Sequence, residues 1–314
     1  MKKIGSFLKP YLRWVIIGGT LFFLLKTFKD NWQEVATIRI SSAGWLNLAI
    51  AWFLTLLAHV WSGWVWSLIL RDLNQPLSGI WGIRVYLATN FAKYLPGNIW
   101  HFYGRVQAVK TAGASVKAAT ISVLLEPLLM AAAALLITII CIQIVGIGLP
   151  QPYRWVQVLG LPAVLMAVHP WCLNRAIALM SRLKQSSNST PANNADLIME
   201  RYPIKPLLGE LGFVGLRSAG FLFTWIALQS VDINQIILIL GDFSLAWMLG
   251  LITPGAPGGL GVLEVTALAL LNQYFSHGLI LTIVALNRLV SILAEAAGAA
   301  LALLLERWHR QTID

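Results

Sequence analysis

Between Ala118 and Gly146 the chain reads AATISVLLEPLLMAAAALLITIICIQIVG, twenty-nine residues with one charged side chain, Glu126. About 20 apolar residues suffice for a helix to cross the hydrocarbon of a bilayer. A helix apolar on every side has no face to turn toward water, so its solvent is lipid or other protein. The rest of the chain agrees with this. Of 314 residues 58% are hydrophobic and 11% charged, against about 25% charged in soluble domains, and the mean hydropathy is +0.72. An all-α polytopic membrane protein follows as the fold class.

Spanning helices are predicted over 12–28, 43–70, 118–146, 153–172, 206–229 and 278–305. The first follows Lys2, Lys3, Lys9 and Arg13 and resembles a signal peptide, but no small-residue cleavage site follows it, so an uncleaved helix is expected. Four shorter apolar pieces, 79–95, 98–112, 234–252 and 260–275, form two pairs. LPGN at 95–98 splits the first pair and TPGAPGGLG at 253–261 the second.

Net charge is +10. No basic run interleaved with aromatics lies in a soluble segment, so nucleic acid is excluded as a partner. The Lys and Arg instead report orientation. Arg175, Arg182, Lys184, Arg201 and Lys205 place the loop 173–205 in the cytoplasm, and Arg307 and Arg310 place the C-terminus there. Both termini are then cytoplasmic, in a cell (inner or plasma) membrane. With that parity, repeat 1 (43–146) begins outside and repeat 2 (206–305) inside, joined by the helix 153–172. The chain 1–314 is thus expected to be one membrane domain of two inverted-topology repeats. Each holds a Pro/Gly-broken helix pair that either re-enters or spans. Paired interrupted segments mark the binding site in transporters built this way.

Irregular backbone at membrane depth must be buried in protein or line a wet cavity. Pro96 and Gly97 break the first pair, and Asn98 is placed to cap the next helix. Pro257, Gly258 and Gly259 break the second. Both breaks aim helix N-termini inward, a setting suited to an anion such as phosphate. Charges within spans are costly and should pair or face a cavity. Arg105 then Glu126 in one half match Glu264 then Arg288 in the other with inverted sign, and Glu295 lies one helix face further on. A polar cluster where the halves meet is expected. Either a structural ion pair or contact with a ligand satisfies the glutamates. For Arg105 and Arg288 contact is favoured, because Arg bonds phosphate oxygens in bidentate fashion.

His101, beside the first break, suits an orienting hydrogen bond or a proton relay. His59 suits a bond to a neighbouring helix, and Lys93 is expected to snorkel to the surface. Cys141 and Cys172 read as packed thiols. Trp14, Trp45, Trp81, Trp155, Trp171 and Trp308 suit the interfacial belt, and Trp100 and Tyr103 are candidates for a headgroup site. Asn188-Ser189-Thr190 is a chance sequon on a cytoplasmic loop. No metal, nucleotide or cofactor motif is present, so no cofactor is expected.

At KYLPGNIWHFYGRV and TPGAPGGLGVLEVTAL the chain resembles the transmembrane, flippase-like domain of bacterial lysylphosphatidylglycerol synthases. The first family motif is met by Leu95, Pro96, Gly97, Gly104 and Arg105. The second is met by Pro254 through Gly261 and then Glu264, with one extra residue between the prolines. The resemblance implies translocation of a lipid. It does not imply aminoacylation, because a stand-alone member without the synthase domain is expected.

The function expected is movement of a phospholipid or polyprenyl-phosphate-linked lipid between leaflets, without catalysis. Pro96, Gly97, Asn98, Arg105, Pro257, Gly258, Gly259, Glu264 and Arg288 would receive an anionic headgroup. Glu126, Glu295 and His101 would form the polar or proton-coupling cluster. The alternatives are an intramembrane lipid transferase using Glu126 or Glu264 as base, or a non-catalytic partner subunit. A second copy or another membrane protein stays open as a partner.

Overall fold

The structure, a computed structural model, describes residues 29, 33, 39–94, 99–145, 154–175, 178, 202–253, 259 and 261–311. The expected first span at 12–28, both break apices (Pro96, Gly97, Asn98, Pro257 and Gly258) and most of the loop 173–205 lie outside the described residues. Within them the chain is all-helical. The helices are α1 (Ser42–Asp72), α2 (Gly79–Asn90) with a 3-10 turn Phe91–Tyr94, α3 (Trp100–Thr111), α4 (Val116–Val145), α5 (Arg154–Ala167), α6 (Ile204–Ile226), α7 (Ile233–Ile252), α8 (Val262–Leu271) and α9 (His277–Gln311).

Five of these are long and apolar enough to cross a membrane: α1, α4, α6, α7 and α9. The two broken pairs differ in size. At 1.5 Å per residue α2 and α3 each reach about 18 Å, too short to cross. In the second pair α7, expected as a broken piece, runs 20 residues and is long enough by itself. Nothing between Ile233 and Ile252 interrupts it, since the Pro/Gly element begins only after a full span. The expected span 153–172 is also corrected. α5 ends at Ala167, the chain bends at 168–169, and helix resumes over 170–175. Pro170 accounts for this, because proline disfavours helix in the residue before it.

Local sequence sets the helix starts. Ser41 Oγ accepts from Gly44 N at 3.0 Å, and Ser78 Oγ from Trp81 N at 3.2 Å. Asp232 and Gln235 form a reciprocal capping box on α7, satisfying amides that the helix leaves open.

Glycines then decide how closely helices meet. α1 and α6 pack antiparallel along their whole length. A Cβ on Gly44 would stand 2.5 Å from Ala227 O, one on Gly220 2.8 Å from Thr55 Oγ1, and one on Gly209 2.6 Å from a Val65 methyl. Trp61 Nε1 donates to Gly209 O at 2.8 Å across the same seam. Lipid supplies no hydrophobic drive between helices, so close packing over small residues and interhelical hydrogen bonds hold them together.

The remaining contacts are paired. α2 packs on α9 as α7 packs on α4, and α1 on α2 as α6 on α7. The pairs α2–α3 and α7–α8, α3–α4 and α8–α9, and α1–α9 and α6–α4 correspond likewise. Large side chains such as Trp45, Phe53, Ile80, Leu208 and Leu304 are exposed on the outside, where a bilayer covers them.

Candidate functional site

A cavity of about 440 Å³ lies between the halves, lined from α1, α2, α3, α4, α6, α7, α8 and α9. Its polar residues are His59, Asn90, Lys93, His101, Arg105, Glu126, Arg217, Asn287, Arg288, Ser291 and Glu295 among them. These polar side chains, from helices far apart in the chain, lie together around it. Of the expected site residues that are described, Gly259, Arg105, Arg288, Glu126, Glu295 and His101 line it, and Glu264 stands behind Arg288.

Arg105 and Glu126 form an ion pair, each residue 2% exposed. Arg105 Nη1 donates to Glu126 Oε2. The guanidinium lies 3.8 Å from the Tyr86 ring centroid and 5.7 Å from that of Trp66, so an aromatic wall holds the cation on its flat face. Trp66 is fixed in turn, its Nε1 donating to Ser122 Oγ at 3.1 Å. α3, which carries Arg105, begins with Ile99 at the N-cap position and no side-chain cap. Asn98, the expected cap, lies outside the described residues.

The second break is built differently. Arg288 donates from Nε and Nη2 to both oxygens of Glu264, the Nη2–Oε2 distance being 2.9 Å, and from Nη2 to Gly259 O at 3.0 Å. Glu264 Oε2 also accepts from Gly261 N at 2.8 Å. Gly259 and Gly261 have φ of +70° and +84°, the region where a Cβ is penalised. The N-terminus of α8, expected to await an external anion, is thus occupied by its own Glu264 carboxylate. Glu264 fixes the backbone and aims Arg288.

A third group joins distant segments. Glu295 Oε1 accepts from Lys93 Nζ at 2.6 Å and lies 3.3 Å from His59 Nε2. Lys93 does not snorkel to the surface as expected: the 3-10 turn after α2 points it along α9 instead. His59 meets a neighbouring helix, as its apolar setting suggests. His101 Nδ1 is buried without a hydrogen-bond partner, and its ring lies against Phe102 at 3.8 Å. Trp100 and Tyr103 are exposed and do not line the cavity. Cys141 and Cys172 are free thiols.

Sequence reasoning missed Arg217, Asn287, Ser291, Glu210 and Asp242. Arg217 donates from Nη1 and Nη2 to Ser291 Oγ at 3.1 and 3.2 Å, and Ser291 Oγ donates to Asn287 O at 2.7 Å. Asn287 and Ser291 recur every four residues with the expected Glu295, a helical stripe visible in NRLVSILAE that could have flagged them. Glu210 and Asp242 are lone acids in apolar helices, with 0% and 4% exposure and no hydrogen-bond partner on either carboxylate.

Fold and site together define a polytopic α-helical membrane protein with a charged cavity lined in part by both helix pairs, α2–α3 and α7–α8. Residues 12–298 match the family described as the lysylphosphatidylglycerol synthase TM region, and the chain belongs to that family. No curated protein matches it.

Proposed function

We propose that the protein carries a phosphate-bearing membrane lipid between leaflets, the headgroup passing through the cavity while the hydrocarbon chains stay in the bilayer. One observation carries this reading. Four cations, Lys93, Arg105, Arg217 and Arg288, line the cavity against two carboxylates, Glu126 and Glu295, with Glu264 as a third behind Arg288. Guanidinium and ammonium groups gathered in one wall suit the oxygens of a phosphate diester. The cavity holds a headgroup but not acyl chains, which fits a path open sideways to lipid.

The paired helix contacts and the antiparallel α1–α6 seam support reading α1–α4 and α6–α9 as inverted repeats. Alternating exposure would then be a rocking of one half on the other. The arginine pairs also speak for transport over an intramembrane transferase. Glu126 and Glu264, the candidate bases, are each occupied by a guanidinium, and a base must reach the proton it takes. Cytoplasmic termini and an inner-membrane location complete the reading.

The test is reconstitution into vesicles holding headgroup-labelled phosphatidylglycerol or labelled polyprenyl phosphate in both leaflets, with a membrane-impermeant quencher added outside. Active protein lets the quencher remove the whole signal; protein-free vesicles stop near half. Full-length protein that leaves every such lipid at the protein-free level ends this reading.

A further inference from the structure

A second cavity, of about 320 Å³, lies apart from the first, between α4, α7 and α8. Its walls are mostly aliphatic, including Ile142, Ile237, Leu238, Leu245 and Leu270, with exposed Gln273 and Tyr274 at one end. One acid lines it: Asp242, 4% exposed, with neither carboxylate oxygen hydrogen-bonded. The groups facing it are Thr138 and Cys141 from α4, and Gln273 and Tyr274 from the turn after α8; α6, also packed on α7, contributes none to this cavity. No Lys, Arg or His is among the lining residues.

An ionised carboxylate in such surroundings needs a cation or several donors, and without them it takes up a proton. A resident metal ion is poorly served here. Hard cations take about six or more oxygens, and besides Asp242 only Thr138, Gln273 and Tyr274 bring a side-chain oxygen to the lining. A proton needs only the acid and a path to water, and the cavity runs from Asp242 to the exposed Gln273 and Tyr274, whose polar groups can hold water at that end. We propose that Asp242 is a proton-binding site, loaded through this second cavity from its Gln273–Tyr274 end.

The site lies where a proton could act on the main cavity. Asp242 is one helical turn before Ala246, and Ala246, Trp247 and Gly250 line the larger cavity. Next to Asp242, Gly241 packs on Cys141, where an added Cβ would stand 2.8 Å from Cys141 Cβ, and Gly241 O lies 3.4 Å from Thr138 Oγ1. A change of charge at Asp242 therefore bears on the closest contact between α4 and α7.

The experiment treats the full chain in lipid nanodiscs with dicyclohexylcarbodiimide, an apolar reagent that adds to protonated, lipid-accessible carboxyl groups, and maps the adduct by mass spectrometry. The expected result is an adduct on Asp242, several-fold more abundant at pH 5 than at pH 8 and unchanged by added sodium. An infrared carboxylic-acid band that fades over the same pH range and is missing from Asp242→Asn supports the assignment. Wild-type protein with no adduct on Asp242, with the adduct on Glu210 instead, with labelling indifferent to pH, or with labelling blocked by sodium overturns it. The labelling needs no variant to fold and no lipid to move. A chain that labels at Asp242 yet transports nothing sinks the translocation reading and leaves the proton site standing.

Discussion

Lys93 Nζ donates to Glu295 Oε1 at 2.6 Å, linking residues 202 apart in the chain. Lys93 ends the first interrupted segment just before its break, and Glu295 sits mid-way along α9. The bond thus pins one broken pair to the opposite half, with His59 of α1 closing the group. A motion that opens the cavity between these elements has to separate that pair.

Removing one member of a buried ion pair typically costs ~3–5 kcal/mol, because the other charge is stranded. Glu295→Gln strands Lys93 beside His59 and is expected near that range. Lys93→Ala is expected to cost less, since Lys93 keeps 22% of its side chain exposed. The double variant should lose clearly less than the sum of the two. Thermal unfolding of all four proteins in one detergent checks this, and strictly additive losses would show that the two side chains are not coupled.

Glu264 and Arg217 are expected to separate stability from transport. All the polar capacity of Glu264 is spent inside the fold, on Gly261 N and Arg288. Glu264→Ala should lower the melting temperature sharply. Arg217 bonds a serine in the cavity wall, so Arg217→Gln should leave melting within a few degrees while slowing lipid exchange at least several-fold. The reverse pattern would move Arg217 into the scaffold and Glu264 into the binding surface.

The charges that the sequence exposes best are those that membrane energetics forces together. Arg105, Glu126, Glu264 and Arg288 stand out because apolar residues surround them, and opposite signs without water must pair. Arg217 carries the same cost but lies in GFVGLRSAG with no Pro/Gly break beside it to mark a cavity. Which way it points depends on the rotation of α6, and glycine contacts with α1 set that rotation. Lys93 misled for a related reason. Snorkelling assumes a helix running on to the surface, whereas a 3-10 turn redirects the chain. The short span of α2 and α3 was legible from LPGN, but the full length of α7 was not, since a Pro/Gly element marks where a helix ends and not where it began.

The Gly250–Gly259 contact should tolerate no side chain. A Cβ on either would stand 3.1 Å from the other's Cα, and Gly259 also has φ +70°, which costs a non-glycine residue about 1–2 kcal/mol. Gly259→Ala is expected to lower thermal stability more than Gly215→Ala, whose Cβ would meet nothing within 4 Å. Equal melting curves would mean the second break sits more loosely than its backbone contact indicates.

The Arg105–Glu126 pair decides between scaffold and ligand contact. Replacing both members of a buried pair by apolar residues of similar size is often neutral or stabilising. Arg105→Met with Glu126→Leu should therefore fold and melt near the wild type, while Arg105→Met alone should be clearly destabilised. If Arg105 meets the headgroup, the well-folded double variant loses lipid exchange. Arg105→Lys should restore little, because an ammonium offers neither the planar face held against Tyr86 nor a bidentate grip on phosphate. Lipid exchange is then read on each variant at matched protein density. A double variant that exchanges lipid at the wild-type rate would make the pair a register-fixing bond of the fold and leave Arg217 and Lys93 as the cations that meet the lipid.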